Sequence, residues 1–309
     1  MTTPRVMVSF VHARIDTTGS YVLGALIDLL GRDAVTFIDP VQFDLVFDDA
    51  YDLFLAIDDD GEWTFPDAWQ PCAAWLLDTH MDFPKRLRRA GAFNYTFAAQ
   101  WDGACQFQRD GIDAEWLPLA CYPAIHQPVT TEKRYQWSFV GHLTRSEWLP
   151  PERMNLADQL KIAFPDYFAG EAYFEDMMEK YSAAAIVWNR SIKDDINMRV
   201  FEGLASGSFL LTNRVPMLET LVTPMTHCGF YDDAECLDQL RFWLTHPVER
   251  QQIARQGLTW VRQRHTYQHR AARILERCLG WIVPETSRSL LLPQPRADGV
   301  VRQPEGVPP

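Results

Sequence analysis

Apolar residues in this chain fall into two alternating patterns: short unbroken runs, and longer stretches in which they return every three or four positions. The first suits strands covered on both faces, and the second suits amphipathic helices. Val6–Val11 reads as a strand, Thr17-Thr18-Gly19-Ser20 as a turn, and Tyr21–Leu30 as a helix stopped by Gly31. Further strands are predicted at Ala34–Ile38, Leu53–Ile57, Ala73–Leu77, Tyr95–Ala98 and Ala114–Leu119. Helical or polar segments such as Pro84–Ala92 and Gly103–Arg109 lie between the later ones. This alternation predicts a parallel sheet with helices on both faces.

Tyr122–Arg134 carries two prolines and little periodicity, which marks it as a linker. The alternation then restarts, with strands predicted at Trp137–Gly141, Tyr167–Ala169, Ala183–Trp188, Phe209–Thr212 and Gly229–Tyr231. Helices are predicted at Leu156–Ile162, Phe174–Tyr181, Met198–Ala205 and Cys236–Leu244, and over one long stretch from Val248 to Trp281. The expected organisation is an α/β chain of two Rossmann-like domains, 1–130 and 131–283, facing across a cleft. Residues 284–309, rich in Pro, Arg and Gly, read as a disordered tail.

At 309 residues with 47% hydrophobic content, the chain is long enough for two cores. A net charge of −12 argues against general affinity for nucleic acid or anionic membrane. The six cysteines form no C-x-x-C pair, so no metal site is expected and a reducing compartment is the simplest reading. With neither a signal-peptide pattern nor an apolar run of spanning length, a cytoplasmic protein without an integral membrane segment is expected.

The chemistry concentrates between Asn189 and Gly207, where an apolar strand gives way to a polar loop and then to a helix. In a doubly wound sheet such a junction forms the ligand crevice, and the helix N-terminus favours phosphate. Helical spacing places Arg199, Glu202 and Ser206 on one face and Val200 and Leu204 on another. A carboxylate there can accept hydrogen bonds from a ribose diol. By pattern alone, a surface i,i+3 ion pair between Arg199 and Glu202 is the more economical account.

The segment resembles the N…D.N.R.FE..A.G..L signature of the CgeB-type (spore maturation protein) glycosyltransferases, of the GT-B fold with a glycosyltransferase group 1 C-terminal domain. Phe139-Val140-Gly141-His142 followed by Arg145 and Arg153, Phe209–Asn213, and His265-Thr266-Tyr267 with Arg270 resemble other parts of that family in the same order. The resemblance implies transfer of a sugar from a nucleoside diphosphate sugar, without a cofactor or metal, to a hydroxyl-bearing acceptor: a glycan, a protein or a small molecule. It implies Glu202 on the ribose and Asp194 facing the donor sugar, where the family has Glu. Arg145, Lys193 and Arg199 would lie around the diphosphate, Gly141 would admit its backbone approach, and Asn197 belongs to the same nucleotide-binding set; by fold analogy alone, the loop at Gly170-Glu171 is a place for the base. Retention at the anomeric carbon is implied by the related group 1 enzymes.

In the first domain, Asp78-Thr79-His80 closes an apolar strand. His80 is a candidate to assist the leaving phosphate with Asp78 orienting it, although helix capping explains these residues as well. His12 is similarly placed, and Thr17–Ser20 offers helix N-terminal donors. Asp58-Asp59-Asp60 contains a D-x-D but reads as a turn, and Lys85–Arg89 reads as a solvated helix face. Two rivals remain: a nucleotide-sugar epimerase, and a non-catalytic protein that keeps the scaffold.

Overall fold

The computed structural model describes residues 2–11, 17–45, 51–58, 64–130, 132–143, 151–282 and 294. By its internal contacts the chain divides into two compact units, one of Met1–Leu119 with Tyr267–Pro309, the other of Ala120–Thr266.

The first unit holds a parallel sheet of β1 (Val6–Ser9), β2 (Val35–Ile38), β3 (Leu53–Asp58), β4 (Cys72–Leu76), β5 (Tyr95–Ala98) and β6 (Ala114–Trp116), in the order β2-β1-β3-β4-β5-β6. Each strand was predicted from a short, mainly apolar run; β1 and β4 are buried throughout, whereas the edge strand β2 exposes Thr36 and β6 carries Glu115. Helices α1 (Thr18–Leu30), α2 (Phe83–Ala90) and α3 (Trp101–Arg109) connect them. Asp82 caps α2 by accepting the Lys85 N–H, and Arg88 and Arg89 sit in its last turn, where cations suit the helix dipole. The run Lys85–Arg89 is not wholly a solvated face: Arg86 is 2% exposed, and its Nε donates to Leu77 O at 2.9 Å.

The second unit repeats the design with β7 (Tyr135–Val140), β8 (Tyr167–Gly170), β9 (Ala184–Asn189), β10 (Phe209–Asn213) and β11 (Gly229–Tyr231), all parallel, in the order β11-β10-β9-β7-β8. Its helices are α4 (Pro151–Ala163), α5 (Phe174–Ser182), α6 (Met198–Ala205), α7 (Leu218–Leu221), α8 (Cys236–Thr245) and α9 (Pro247–Arg264). On one face of the sheet Trp137, Phe139, Trp188 and Phe209 pack with Leu160 of α4 and with Leu240 and Trp243 of α8. On the other, α9 lies so close to α6 that a Cβ on Gly257 would meet the carbonyl of His227 and the side chain of Leu204.

Two boundaries differ from expectation. The long helix predicted over Val248–Trp281 is broken at His265-Thr266, and α10 (Tyr267–Leu279) belongs to the first unit, where it packs on α1. Arg270 donates there to Pro118 O and Leu119 O, and Arg273 forms a two-pronged ion pair with Glu115. The division near 130/131 falls instead after Leu119, because the expected linker is tied into the second unit: Val129 N–H donates to Ser182 Oγ, and Lys133 Nζ donates to Ser182 O and Ser208 Oγ. Of the expected tail, Gln294 is described, its amide pairing with the backbone N–H and C=O of Trp116 on β6; the rest lies outside the described residues.

Among the described residues no helix is long and apolar enough to cross a membrane. The six cysteines are all buried, and none is in a disulfide.

Candidate functional site

In the second unit the chain leaves β7 for one edge of the sheet and returns on the other side at β9, so the carboxyl ends of β7 and β9 border the switch point where open α/β sheets bind ligands. The polar residues from Asn189 to Asn197 start from that place. Asn189, the last residue of β9, is fully buried: its Oδ1 accepts from Arg199 Nη1 at 2.9 Å and from Asn197 at 3.2 Å, and its Nδ2 donates to Thr212 at 2.9 Å. Ser191 N–H is held by Asn213 Oδ1 at 2.7 Å. Each strand end thus supplies an amide or hydroxyl that fixes its neighbour, the condition under which buried polar groups are tolerated.

Arg199 spans the crevice. Its Nε donates to Val140 O at 2.9 Å, its Nη1 reaches Asn189, and its guanidinium lies 4.0 Å from the centre of the Phe139 ring. This arrangement explains Gly141 differently from the expected approach of a diphosphate. With φ at +142°, Gly141 leaves open a space where a Cβ would sit 2.5 Å from Arg199 Nη2. The glycine admits the guanidinium.

Two further arginines join it. Arg153 is 6% exposed, donates from Nε to Arg190 O at 2.8 Å and lies over the same Phe139 ring. Burial, then the positive charges of Arg199 and Arg190, pull its pKa down to about 9. Arg190 pairs with Asp233 through Nε at 2.8 Å and Nη2 at 2.9 Å. Three guanidiniums gathered near the strand ends form a site suited to an anion with several oxygens.

Glu202 lies one turn inside α6 and is 8% exposed, not the surface partner of Arg199 that the i,i+3 spacing suggested. The helix is covered nearly all round, with Val200, Phe201, Gly203, Leu204 and Ala205 buried as well, so its carboxylate sits within the fold. His126 faces it, with Nε2 lying 3.9 Å from Glu202 Oε1.

Asn197 stands at the N-cap of α6. Lys193 and Asp194 are both exposed and both left-handed, at φ +47° and +55°, in the loop ahead of it. The buried acid of that loop is Asp195, 7% exposed. Gly170 accepts the Gly141 N–H at 2.9 Å, joining the ends of β7 and β8, and beyond it Glu171 is held by His142 Nδ1 at 2.8 Å and by the Tyr173 hydroxyl at 3.0 Å. Arg145 and His12 lie outside the described residues, as do Asp59 and Asp60.

In the first unit, Asp78 and His80 follow β4 in a turn closed by Met81 N–H to Asp78 O, with Asp78 exposed and left-handed at φ +47° and His80 half-buried. Thr79 between them is buried and binds Gln100 through both N–H and hydroxyl. A cavity of about 500 Å³ in this unit is lined by Phe65, Lys85, Arg88, Arg89 and Phe93, at the amino ends of β4 and β5 and away from the strand ends that carry Asp78 and His80.

Sequence reasoning missed His126, placed in a presumed linker, and gave no site role to Arg190 or to Arg153, quoted only as a motif residue, because their meeting needs the fold to bring residues 37 positions apart together. The proline-rich stretch offered no signal for His126.

Residues 125–276 match the family described as Glycosyl transferase-like. No curated protein matches the chain. Among solved structures, sucrose-phosphate synthase from Thermosynechococcus elongatus is similar at 10% identity and a TM-score of 0.60, over 90% of this chain and 99% of that one. HepE of Anabaena in complex with UDP-glucose is similar at 11% identity and a TM-score of 0.61, over 90% and 100%. An alpha-glucosyltransferase in complex with UDP and a 13-mer DNA is similar at 7% identity and a TM-score of 0.64, over 90% and 100%. At these identities the likeness is one of fold: two parallel-sheet α/β units of the GT-B type.

Proposed function

We propose, from the GT-B glycosyltransferase fold of this chain and the glycosyl transferase-like segment it carries, that it moves a hexose-type unit from a nucleoside diphosphate sugar to a hydroxyl-bearing acceptor. The observation that carries the reading is the crevice of the second unit: Arg199 held across the ends of β7 and β9, Arg153 and Arg190 beside it, and the buried Glu202 three positions along the same helix. Glu202 accepts the ribose hydroxyls. The guanidiniums and the N-terminus of α6 take the diphosphate and stabilise the charge that develops as it leaves. Three fixed cations do the work a divalent metal does in other transferases, so the reaction proceeds without one. UDP is the first nucleotide to try, since similar structures of HepE and of an alpha-glucosyltransferase are complexes with UDP.

The finer points belong to the same proposal. Kinship with the CgeB-type enzymes, retention at the anomeric carbon and a cytoplasmic setting rest on the quoted motifs and on six buried cysteines outside any disulfide. Lys193, Asp194 and Arg145 are proposed around the donor. Asp78 and His80 are proposed at the leaving group or the acceptor, a glycan, a protein or a small molecule.

The test is calorimetry with UDP and GDP, together with donor turnover, on wild type and Glu202→Gln. Losing an acceptor of two ribose hydroxyls is expected to weaken nucleotide binding by roughly a hundredfold. Unchanged affinity in the variant overturns the assignment. A nucleotide-sugar epimerase would convert its sugar with no acceptor present, and a non-catalytic scaffold would bind neither nucleotide.

A further inference from the structure

Glu202 has a neighbour whose chemistry bears on how it binds. The segment from Cys121 to Val129 is built into the second unit as a strap beside α6. Cys121 N–H donates to His265 O at 3.0 Å, Val129 N–H to Ser182 Oγ, and Ser182 Oγ in turn to Ser206 O at the end of that helix. Pro128 packs against Gly207, the left-handed residue just past α6, so closely that a Cβ there would sit 3.1 Å from the proline ring. Between these anchors the strap turns tightly, with His126 N–H donating to Tyr122 O at 2.7 Å, and the His126 side chain is fully buried.

The tautomer follows from the turn. His126 Nδ1 accepts the Tyr122 N–H at 2.9 Å. A neutral imidazole that accepts at one nitrogen carries its proton on the other, so Nε2 is the N–H and lies 3.9 Å from Glu202 Oε1. That separation is longer than a hydrogen bond. The interaction is the attraction of an N–H dipole for a carboxylate in weakly polar surroundings.

We propose that His126 is a positioning residue for nucleotide binding, its uncharged Nε2–H steering the Glu202 carboxylate toward the ribose diol without neutralising it. The inference rests on the reading of Glu202 as the ribose acceptor. A lysine or arginine in the strap would form a salt bridge with Glu202 and compete with the sugar hydroxyls for the same lone pairs. An apolar residue would leave the carboxylate in low polarity without that dipole. A buried neutral imidazole meets both demands, and burial keeps it neutral by drawing its pKa down to about 3. The match to the Glycosyl transferase-like family begins one residue before it, at 125, so the part of the strap from Ile125 to Val129 lies in the matched segment.

The experiment uses the full chain: nucleotide titration and steady-state donor turnover for wild type, His126→Phe, His126→Gln and Glu202→Gln. His126→Phe keeps the ring and removes the N–H; it is expected to raise Kd for the nucleotide and KM for the donor by roughly tenfold, with kcat little changed. His126→Gln, which restores an N–H, is expected to recover most of that loss. A structural role alone would lower kcat and KM-dependent terms together and show no such rescue. Should His126→Phe fail to fold, imidazole ¹H–¹⁵N spectra of wild type carry the test. They are expected to show the Nε2–H tautomer and to shift on adding UDP in wild type but not in Glu202→Gln. Binding that Glu202→Gln destroys and His126→Phe leaves intact, or imidazole signals unmoved by a nucleotide that binds, overturns this inference alone. A wild type that binds neither UDP nor GDP overturns the ribose reading and this inference with it.

Discussion

Both sheets are wound alike from their first strand: β1 and β7 each step outward to one neighbour and return on the other side at β3 and β9. They differ in what occupies the space beside the first strand's end. In the first unit a Cβ on Gly19, in the first turn of α1, would strike the ring of Phe10, and Phe10 also packs on Phe37 at 4.5 Å. In the second unit the corresponding space, opened by Gly141, holds the guanidinium of Arg199. One glycine makes room for a hydrophobic plug and the other for a charge. The same topology therefore places an aromatic ring at one corner and a guanidinium at the other, so the two differ in what fills the corner rather than in the winding that creates it.

The sharpest way to break this contrast is Arg199→Met, which keeps the stem and removes the charge. It removes the donors to Val140 O and Asn189 Oδ1 and the nearest cation of the crevice. We expect kcat/KM for the donor to fall roughly a hundred- to a thousandfold, the usual cost of one electrostatic donor, while the first unit keeps its fold. Turnover within threefold of wild type would place the chemistry elsewhere. Next in size, Gly141→Ala puts a Cβ 2.5 Å from Arg199 Nη2 at a residue with φ +142°. It is expected to weaken nucleotide binding by about tenfold and to destabilise the fold by about 1–3 kcal/mol. Gly19→Ala is the control: it should cost a similar 1–3 kcal/mol through overpacking against Phe10 but leave nucleotide affinity unchanged. Equal losses of affinity in the two glycine variants would erase the distinction between the corners.

How much of this was legible before folding depends on the range of the forces involved. The strands could be read because burial on both faces writes itself into consecutive residues, as in Val6–Ser9 or Phe209–Asn213. The junction from Asn189 to Glu202 could be read because a strand end, a polar loop and a helix start are adjacent in sequence. The break between α9 and α10 could not, since the periodic pattern runs through it without glycine or proline. It is imposed from afar: His265 O accepts from Cys121, 144 residues away, and Thr266 bridges to the same cysteine. His126 was hidden for the same reason. Its prolines and lack of period describe a linker locally, and only pairing with Ser182, Gly207 and Tyr122 turns it into a wall of the site.

The smallest expected effect sharpens the comparison through acid stability. His126 is fully buried, loss of solvent lowers its pKa to about 3, and the Glu202 carboxylate lies 3.9 Å from its Nε2. In the unfolded chain the same imidazole takes a proton near its usual value of about 6.5. Between those two values the unfolded state binds more protons than the folded one, so stability rises with pH and is lost as pH falls from about 6.5 toward about 3. The slope approaches 1.4 kcal/mol per pH unit at most, which gives about 1 kcal/mol between pH 6 and pH 5. Urea unfolding of wild type against His126→Gln at pH 7, 6 and 5 reads this directly, since the glutamine has no proton to take up. Wild type should lose about 1 kcal/mol more than the variant over the last step. Parallel losses in the two would mean that the imidazole is protonated in the folded chain, and a charged His126 would turn its contact with Glu202 into the salt bridge that the crevice is arranged to avoid.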